Sequence, residues 1–154
     1  MKITREKIEK LIPKIRFQFP YSAEDYAEHL YLENYHCHTD MSNSSVPDCA
    51  ESIENYAKRI KELGGKCLYS GEHGNQGNVF CNYTVAEKEG LLFRQSAEAY
   101  WVKDRHEKDR TNCHIMMIAT SNEGRKDMNF ALSIANEDGY YYNPRLDLEL
   151  LLNI

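Results

Sequence analysis

The spacing of apolar residues predicts three helices in the middle and second half of the chain. The clearest has an apolar face at every third or fourth position, formed by Ile53, Tyr56, Ala57, Ile60 and Leu63. Gly64-Gly65 follows this face and is typical of a helix end, because glycine adopts the left-handed backbone conformation without steric cost. The other two helices are predicted at 79–89, closed by Gly90, and at 122–136.

Between these helices lie short runs of apolar and aromatic residues that predict strands. The runs occupy 31–35, 66–70, 91–94 and 113–119, and 98–102 continues the third. Strands that alternate with helices indicate βα units and a parallel sheet, either an open doubly wound sheet or an incomplete barrel. The sequence contains no G-x-G-x-x-G and no P-loop, which argues against nucleotide cradling. The pattern therefore predicts an α/β fold.

The two ends of the chain carry weaker patterns. Before the first strand, two short helical patterns, the first interrupted by Pro13, predict a helical appendage over residues 1–31. Residues 32–154 are then predicted to form one domain. The segment 140–145 is predicted to be extended, because the residue before a proline avoids the helical region. Asp147 is predicted to cap a final short helix.

Composition and charge exclude several classes of protein. The 154 residues are 42% hydrophobic and 28% charged, which is ordinary for one globular core. No apolar run approaches the ~20 residues that cross a bilayer, and no apolar stretch follows the charged N-terminus. We therefore expect no signal peptide, no membrane partner and a cytoplasmic location. A net charge of −5 disfavours nucleic-acid binding by this chain alone, so another part of a larger protein would hold any DNA substrate.

The cysteine pattern predicts neither a disulfide framework nor a zinc finger. The number of cysteines is odd and none forms a C-x-x-C pair. We interpret them as reduced and mostly buried thiols. Cys37 and Cys113, which flank histidines, are expected to pack rather than to bind metal. The five residues are Cys37, Cys49, Cys67, Cys81 and Cys113.

Four histidines follow or open predicted strands and supply the first chemical signal. His36 and His38 stand at the end of the first strand, where residues two apart point to the same face. His73 follows the second strand, and His114 lies near the start of the fourth. Because the carboxyl ends of parallel strands meet on one face, we expect these imidazoles to converge. The alternative for His36 and His38 is two polar residues on an exposed strand face.

Two carboxylates are expected to join these imidazoles. Glu98 follows the third strand, and Asp48 can fold in from the loop behind the first. Nitrogen and oxygen ligands without thiolates suit zinc, manganese or iron in a hydrolytic site. Alternatively, His73 caps the next helix and Glu98 is a surface carboxylate. His29 and His106 lie in helical or charged segments and are expected on the surface.

Several of these segments together resemble the PHP domain family (polymerase and histidinol phosphatase). The segments that carry the resemblance are Tyr35-His36-Cys37-His38-Thr39 with Ser42, Pro47-Asp48, Gly71-Glu72-His73-Gly74, Glu98-Ala99-Tyr100-Trp101-Val102, 112–119 and 139–147. The resemblance spans residues 32–152 in order and spacing, and it is to the PHP domain at the start of bacterial and phage DNA polymerase III alpha subunits. The Tyr-x-x-x-Pro-Arg pattern ending at Arg145 favours that branch over small-molecule phosphatases.

The resemblance implies a distorted (β/α)7 barrel with up to three divalent metals, zinc, manganese or iron, at its C-terminal face. The positions that match family ligands are His36, His38, Asp48, His73, Glu98 and His114. The residues expected to be catalytic are His36, His38, His73 and Glu98. Two departures stand out, Glu72 in place of the usual Asp and Ser96-Ala97 in place of Gly-x before the glutamate. Family members add a Cys or His and an Asp-x-His that do not follow His114 here, so we expect about the first two thirds of a barrel.

The resemblance also implies a function. It is metal-dependent phosphoester hydrolysis in a protein similar to the replicative DNA polymerase III alpha subunit, of the 3′–5′ exonuclease type that removes misincorporated nucleotides. The implied partners are a DNA 3′ end, held by the rest of the polymerase, and the other polymerase domains. Two alternatives stay open. The domain is a catalytically inactive module that braces the polymerase, or it is a stand-alone phosphatase of small phosphate esters.

Overall fold

The computed structural model describes residues 34–43 and 47–154. The helices predicted within residues 1–31 lie outside this range, and the division of the chain at residue 31 stays a prediction. The described α-helices are α1 (Ile53–Glu62), α2 (Val79–Glu89), α3 (Asn122–Glu137) and α4 (Leu148–Leu151), and Asp40–Ser42 form a short 3-10 helix. The described strands are β1 (Cys67–Ser70), β2 (Leu92–Trp101), β3 (Cys113–Ile118) and β4 (Arg145–Leu146). This mixed α/β composition confirms the predicted class. No helix among the described residues is long and apolar enough to cross a membrane.

The helices begin and end where local sequence signals predict. Ser52 caps α1 by accepting a hydrogen bond from the backbone N–H of Asn55, at 3.3 Å. Gly64 after α1 and Gly90 after α2 both have positive φ, at 79° and 73°, the conformation that glycine adopts most readily. Asp147 caps α4 through its side chain, as predicted. These boundaries depend on residues close in sequence, which explains their agreement with the pattern.

The strand β2 is the centre of a four-stranded sheet. β1 pairs in parallel with the first part of β2, and β4 pairs in parallel with the last two residues of β2. β3 pairs with its second half in the antiparallel direction, so the prediction of a parallel sheet is wrong for this strand. The segment 102–112 between β2 and β3 contains no helix. A parallel connection needs a crossover of a dozen or more residues, usually helical, so this short segment reverses the chain instead.

The first predicted strand is not seen in its described part. Residues 34–39 are not paired as a strand, while 31–33 lie outside the described range. The carbonyl oxygen of Cys37 nevertheless accepts a 2.9 Å hydrogen bond from the backbone N–H of Gly71. This bond attaches the histidine segment to the chain that leaves β1.

Two apolar clusters cover the sheet. One packs α3 against β2 and includes Ala97, Ala99, Met128, Ala131, Leu132 and Leu146. The other packs α1 and α2 against β1 and includes Ile53, Ala57, Ile60, Leu68, Val85 and Ala86. Successive strand residues point to opposite faces. Because Ala97 and Ala99 face the first cluster, Glu98 and Tyr100 project from the other face of β2, where the candidate site lies.

Arg145 anchors the loop between β2 and β3. Its side chain is buried and donates hydrogen bonds to the main-chain carbonyl oxygens of Gly139, Arg105, Glu107 and Asp109, at 2.6–2.9 Å. A Cβ atom on Gly139 would overlap the main-chain carbonyl oxygen of Arg145. The arginine therefore ties the segment before β4 to the segment after β2.

The cysteines differ from their predicted burial. None of the five, all within the described residues, forms a disulfide, but only Cys37 and Cys67 are buried, whereas Cys81 and Cys113 are exposed. The prediction of mostly buried thiols is therefore wrong, as is the packing role predicted for Cys113. Cys113 is the first residue of β3, beside the exposed end of the 102–112 loop, where neighbouring elements leave it uncovered.

Candidate metal centre

Glu98 lies at the centre of a cluster of four imidazoles. Its side chain is only 7% exposed, so the alternative of a surface carboxylate is wrong. Oε1 lies 3.1 Å from Nε2 of His36 and 3.1 Å from Nδ1 of His114. Oε2 lies 2.7 Å from Nδ1 of His73 and 3.7 Å from Nε2 of His38. One buried carboxylate therefore contacts histidines from three separate segments of the chain.

His73 connects this carboxylate to a second one. Its Nε2 lies 2.6 Å from Oδ2 of Asp48. Asp48 is held in place by Asn43, whose side-chain oxygen accepts hydrogen bonds from the backbone N–H groups of Asp48 and Cys49, at 2.6 and 2.8 Å. The alternative that His73 caps the next helix is wrong, because Asn78 occupies the cap position of α2.

The six predicted ligands form three overlapping groups of three. Within each group, one donor atom from each residue lies within 4.8 Å of the other two. The groups are His36 with His38 and Glu98, His38 with Asp48 and His73, and His73 with Glu98 and His114. His106 is exposed and lies outside them, 3.8 Å from Asp138. His29 lies outside the described residues.

The antiparallel direction of β3 brings His114 into the cluster. His73 follows β1 and forms an isolated parallel bridge with Glu98. His114 is the second residue of β3 and lies opposite Tyr100 in the register with β2. Because β3 runs against β2, its first residues lie beside the carboxyl end of β2. A parallel β3 would have placed its start at the other end of the sheet.

The two histidines of the His-x-His motif point to the same side. Their Nε2 atoms are 2.8 Å apart. Cys37, between them, is buried and donates its thiol to the carbonyl oxygen of Tyr69 at 2.9 Å. The alternation predicted for an extended segment is therefore present, although the segment is not paired as a strand. The alternative of two polar residues on an exposed strand face is wrong, because both imidazoles contact the buried Glu98.

The Glu72 side chain supports the two segments that carry His38 and His73. It is 2% exposed and accepts hydrogen bonds from the hydroxyl groups of Thr39 at 2.6 Å and Ser42 at 2.5 Å. The Ser42 oxygen also lies 2.9 Å from Nδ1 of His38 and accepts a 3.3 Å hydrogen bond from the backbone N–H of His73. From the sequence, Glu72 was notable only as a departure beside a ligand. Its contacts give it a positioning role that the sequence alone did not reveal.

Tyr100 also belongs to this site and was not predicted. Its ring stacks on His73 with 6.1 Å between centroids and meets His114 edge-on at 5.0 Å. Burial, and then the carboxylates of Glu98 and Asp48, raise the pKa of the Tyr100 phenol, so the ring stays neutral. Its position two residues after Glu98, on the same face of a strand, is the signal that could have identified it.

The chemistry of the cluster fits a bound cation. Burial, and then the nearby His73, lower the pKa of His38, which keeps this imidazole neutral with a lone pair for a metal. Nδ1 of His73 and Oε2 of Glu98 are buried and have no hydrogen-bond partner among the residues that the structure describes, although they lie only 2.7 Å apart. A buried polar atom without a partner is costly, and a cation bound by both would satisfy them. Imidazole and carboxylate donors without thiolates match zinc, manganese or iron.

Comparison with known proteins gives the same family as the motifs. The sequence model of the PHP domain matches residues 34–153. The DNA polymerase III subunit alpha of Helicobacter pylori (strain J99) is 34% identical over 127 residues, covering 80% of this chain and 10% of the relative. The subunit alpha of Aquifex aeolicus is 32% identical over 127 residues, covering 75% and 11%. That of Treponema pallidum is 30% identical over 116 residues, covering 71% and 10%. The chain thus spans about a tenth of the length of these curated relatives.

Proposed function

This chain belongs to the PHP domain family, and from that membership we propose that its metal centre hydrolyses phosphoesters as part of a protein of the DNA polymerase III alpha type. The reaction is of the 3′–5′ exonuclease type, and the substrate is the 3′ end of DNA during replication in the cytoplasm. The rest of such a polymerase would hold the DNA, because this chain carries a net charge of −5. We also propose that the partly parallel sheet and its helices form about two thirds of a distorted (β/α)7 barrel.

The observation that carries this proposal is the position of Glu98, which belongs to two of the three donor groups. A carboxylate shared in this way can hold two cations close together. His36 and His38 would bind one with Glu98, whereas His73 and His114 would bind the other. His38, Asp48 and His73 offer a third position. Divalent cations bound there would lower the pKa of water and polarise a phosphoryl oxygen.

The protein's own residues supply the shape of the site. The side chains of His36, His114 and Asp48 are 45%, 42% and 44% exposed, so the cluster is open to a phosphodiester from solvent. Glu98 lies beneath them, and Tyr100 closes one side with a neutral ring. We propose His36, His38, His73 and Glu98 as the catalytic residues within the six-residue metal site. A purely bracing domain would not require solvent access to these donor atoms.

The test uses the 154-residue chain, freed of metal and then loaded with zinc, manganese or iron. Bound metal is measured by elemental analysis, and a 5′-labelled single-stranded oligonucleotide is followed for shortening from its 3′ end. Glu98→Gln keeps the size of the side chain but removes the charge that would be shared between cations. His106→Ala is the matched control, because this histidine is exposed and lies outside the cluster. Release of phosphate from histidinol phosphate is measured in parallel.

We expect bound metal and 3′ shortening in the unmodified chain and in His106→Ala, with at least a hundredfold loss of rate in Glu98→Gln. Absence of bound metal under every loading condition would contradict the proposal and favour a bracing module. Phosphate release without shortening of the oligonucleotide would instead favour a small-ester phosphatase. If Glu98→Gln binds as much metal as the unmodified chain, the shared carboxylate is not needed for metal binding, and the proposal loses its main support.

A further inference from the structure

An arginine and a tyrosine form an exposed stacked pair outside the six-residue cluster. The guanidinium carbon of Arg110 lies 3.9 Å from the centroid of the Tyr142 ring. Both side chains are exposed, that of Tyr142 to 58%. Within the described residues, Arg110 makes no ion pair with a carboxylate, so its charge is available to an anion. The pair thus presents an aromatic surface and an unpaired positive charge to solvent.

The backbone that carries Tyr142 and Arg110 is held in place by neighbouring residues. Tyr142 has φ of 65°, a left-handed conformation that is rare for a large side chain and persists only where neighbouring structure holds it. The ring of Tyr141 packs edge-on against Tyr142, with 4.8 Å between centroids. Arg145 holds the backbone next to Arg110, because its guanidinium donates a hydrogen bond to the carbonyl oxygen of Asp109, the residue directly before Arg110. The pair is therefore built in advance of any ligand.

The pair lies beside the metal centre. Arg110 precedes His114 by four residues, a span of at most about 14 Å of extended chain. Tyr142 precedes Pro144 by two residues, and Pro144 Cγ lies 2.7 Å from the position that a Cβ on Gly74 would occupy, next to His73. This upper limit of about 14 Å corresponds to no more than about four nucleotides of one strand. Both halves of the pair thus approach the same pair of ligands, His73 and His114.

We propose that the Arg110–Tyr142 pair is a binding subsite for single-stranded nucleic acid whose terminal phosphodiester lies in the metal centre. A nucleobase stacks on the exposed faces of the pair, and the guanidinium contacts a backbone phosphate. This inference rests on the proposed function, since the metal centre defines where the strand ends. The subsite would let an acidic chain select a nucleic-acid strand over a small phosphate ester, because only the strand reaches both positions.

The test separates binding from hydrolysis. Binding of a fluorescein-labelled oligothymidylate to the 154-residue chain is measured by anisotropy in EDTA, where no divalent metal contributes. Arg110→Ala removes the charge, and Tyr142→Asn removes the ring while keeping a residue that tolerates positive φ. Tyr142→Phe keeps the aromatic face. Matched controls are Arg59→Ala and Tyr83→Ala, both exposed residues on α1 and α2. Thermal unfolding confirms that each variant is folded.

We expect Arg110→Ala and Tyr142→Asn each to weaken oligonucleotide binding about tenfold, and Tyr142→Phe and the controls to bind as the unmodified chain does. With metal, the two variants should lose a similar factor in kcat/KM on the oligonucleotide but keep the rate on bis(p-nitrophenyl) phosphate, which has no base to stack. Unchanged binding in EDTA, or no binding by the unmodified chain, overturns the subsite and leaves the proposed hydrolysis standing. Normal binding without hydrolysis under any metal contradicts the proposed function instead.

Discussion

The Ser42 hydroxyl donates its hydrogen bond to the Glu72 carboxylate, at 2.5 Å. A hydroxyl has one proton and two acceptor positions, so Ser42 can only accept from its other two neighbours, Nδ1 of His38 and the backbone N–H of His73. Nδ1 of His38 must then carry the ring proton, which leaves the Nε2 lone pair directed toward Glu98. A buried carboxylate thereby selects the imidazole tautomer that can bind a metal.

Glu72→Gln tests this relationship. The amide nitrogen cannot accept a proton, so one of the two hydroxyls, that of Ser42 or that of Thr39, loses its acceptor, and we expect a loss in metal affinity of about 10- to 100-fold. The measurement is a competition titration with a chromophoric chelator. Glu72→Asp, which keeps a carboxylate on a side chain one methylene shorter, should retain part of the affinity that Glu72→Gln loses. Glu62→Gln, an exposed glutamate on α1, serves as the control. Equal affinity in Glu72→Gln would show that the tautomer is not selected from this position.

Metal should also stabilise the folded chain. A ligand present at 100 times its Kd raises the free energy of unfolding by about 2.7 kcal/mol. We expect zinc or manganese to raise the Tm of the unmodified chain and of His106→Ala, and His114→Ala to need a higher metal concentration for the same shift. Scanning calorimetry at a series of metal concentrations provides the measurement. An identical dependence on metal in His114→Ala would place this histidine outside the coordination sphere.

Asp147 should make stability depend on acid pH. Burial alone would raise its pKa, but hydrogen bonds from the backbone N–H groups of Arg105 and Leu150 and from the Arg105 guanidinium lower the pKa below its usual value. A depressed pKa contributes stability that is present above the unfolded-state pKa, near 3.9, and is lost as pH falls through the folded-state value.

Asp147→Asn keeps a good helix cap and removes only the charge. We expect the variant to be less stable by about 1.5–3 kcal/mol at pH 7. The difference should shrink below about pH 4, where this carboxyl binds a proton in the unfolded chain but not yet in the folded one. Urea unfolding at several pH values, followed by the fluorescence of the single tryptophan Trp101, measures both quantities. A difference that is constant from pH 7 to pH 3 would contradict the assigned pKa direction.

Arg145 should be more important for stability than an arginine on the surface. Lysine cannot reproduce the planar fork that reaches four carbonyl oxygens, so Arg145→Lys leaves several of them without partners. We expect a loss of about 2–4 kcal/mol in the free energy of unfolding. Arg59→Lys, at an exposed ion pair on α1, should change stability by less than about 0.5 kcal/mol. Similar unfolding curves for the two variants would refute the anchoring role.

The thiols should differ in reactivity. Burial, and then the charge of Glu72, raise the pKa of Cys37 to about 12, so little thiolate forms near neutral pH. At pH 8 we expect iodoacetamide to modify exposed Cys81 and Cys113 first and to leave buried Cys37 and Cys67 unmodified until the chain is unfolded. Peptide mass spectrometry over time gives the order, and labelling in guanidinium is the control. Early modification of Cys37 would show that its segment opens readily.

The features that could be predicted from the sequence are those that depend on residues close together in the chain. The end of α1 at Gly64-Gly65 follows from the backbone preference of glycine, and the structure places it there. Five of the six candidate ligands could be chosen because each stands near the end or start of a predicted strand, and Asp48 was added from the loop behind the first strand. Their metal binding stays a prediction, but the structure places all six in one cluster.

The direction of β3 and the role of Arg145 could not be predicted in this way. The apolar residues of Cys113–Ile118 would suit a strand in either direction, and the charged segment before them does not show whether the chain crosses over or turns back. An arginine followed by Leu146 carries no sign that its side chain will be buried, since arginines are usually exposed. Both features depend on contacts between segments that are distant in sequence.

The bonds that Arg145 makes to the loop before β3 have an evolutionary consequence. Every acceptor is a main-chain oxygen, and every residue type provides one. The side chains of Glu107 and Asp109 can therefore be exchanged over generations while these bonds to Arg145 are retained, whereas Arg105 also bonds Asp147 through its own side chain. Related proteins could diversify the outward surface of this loop without altering the coordination geometry beside it.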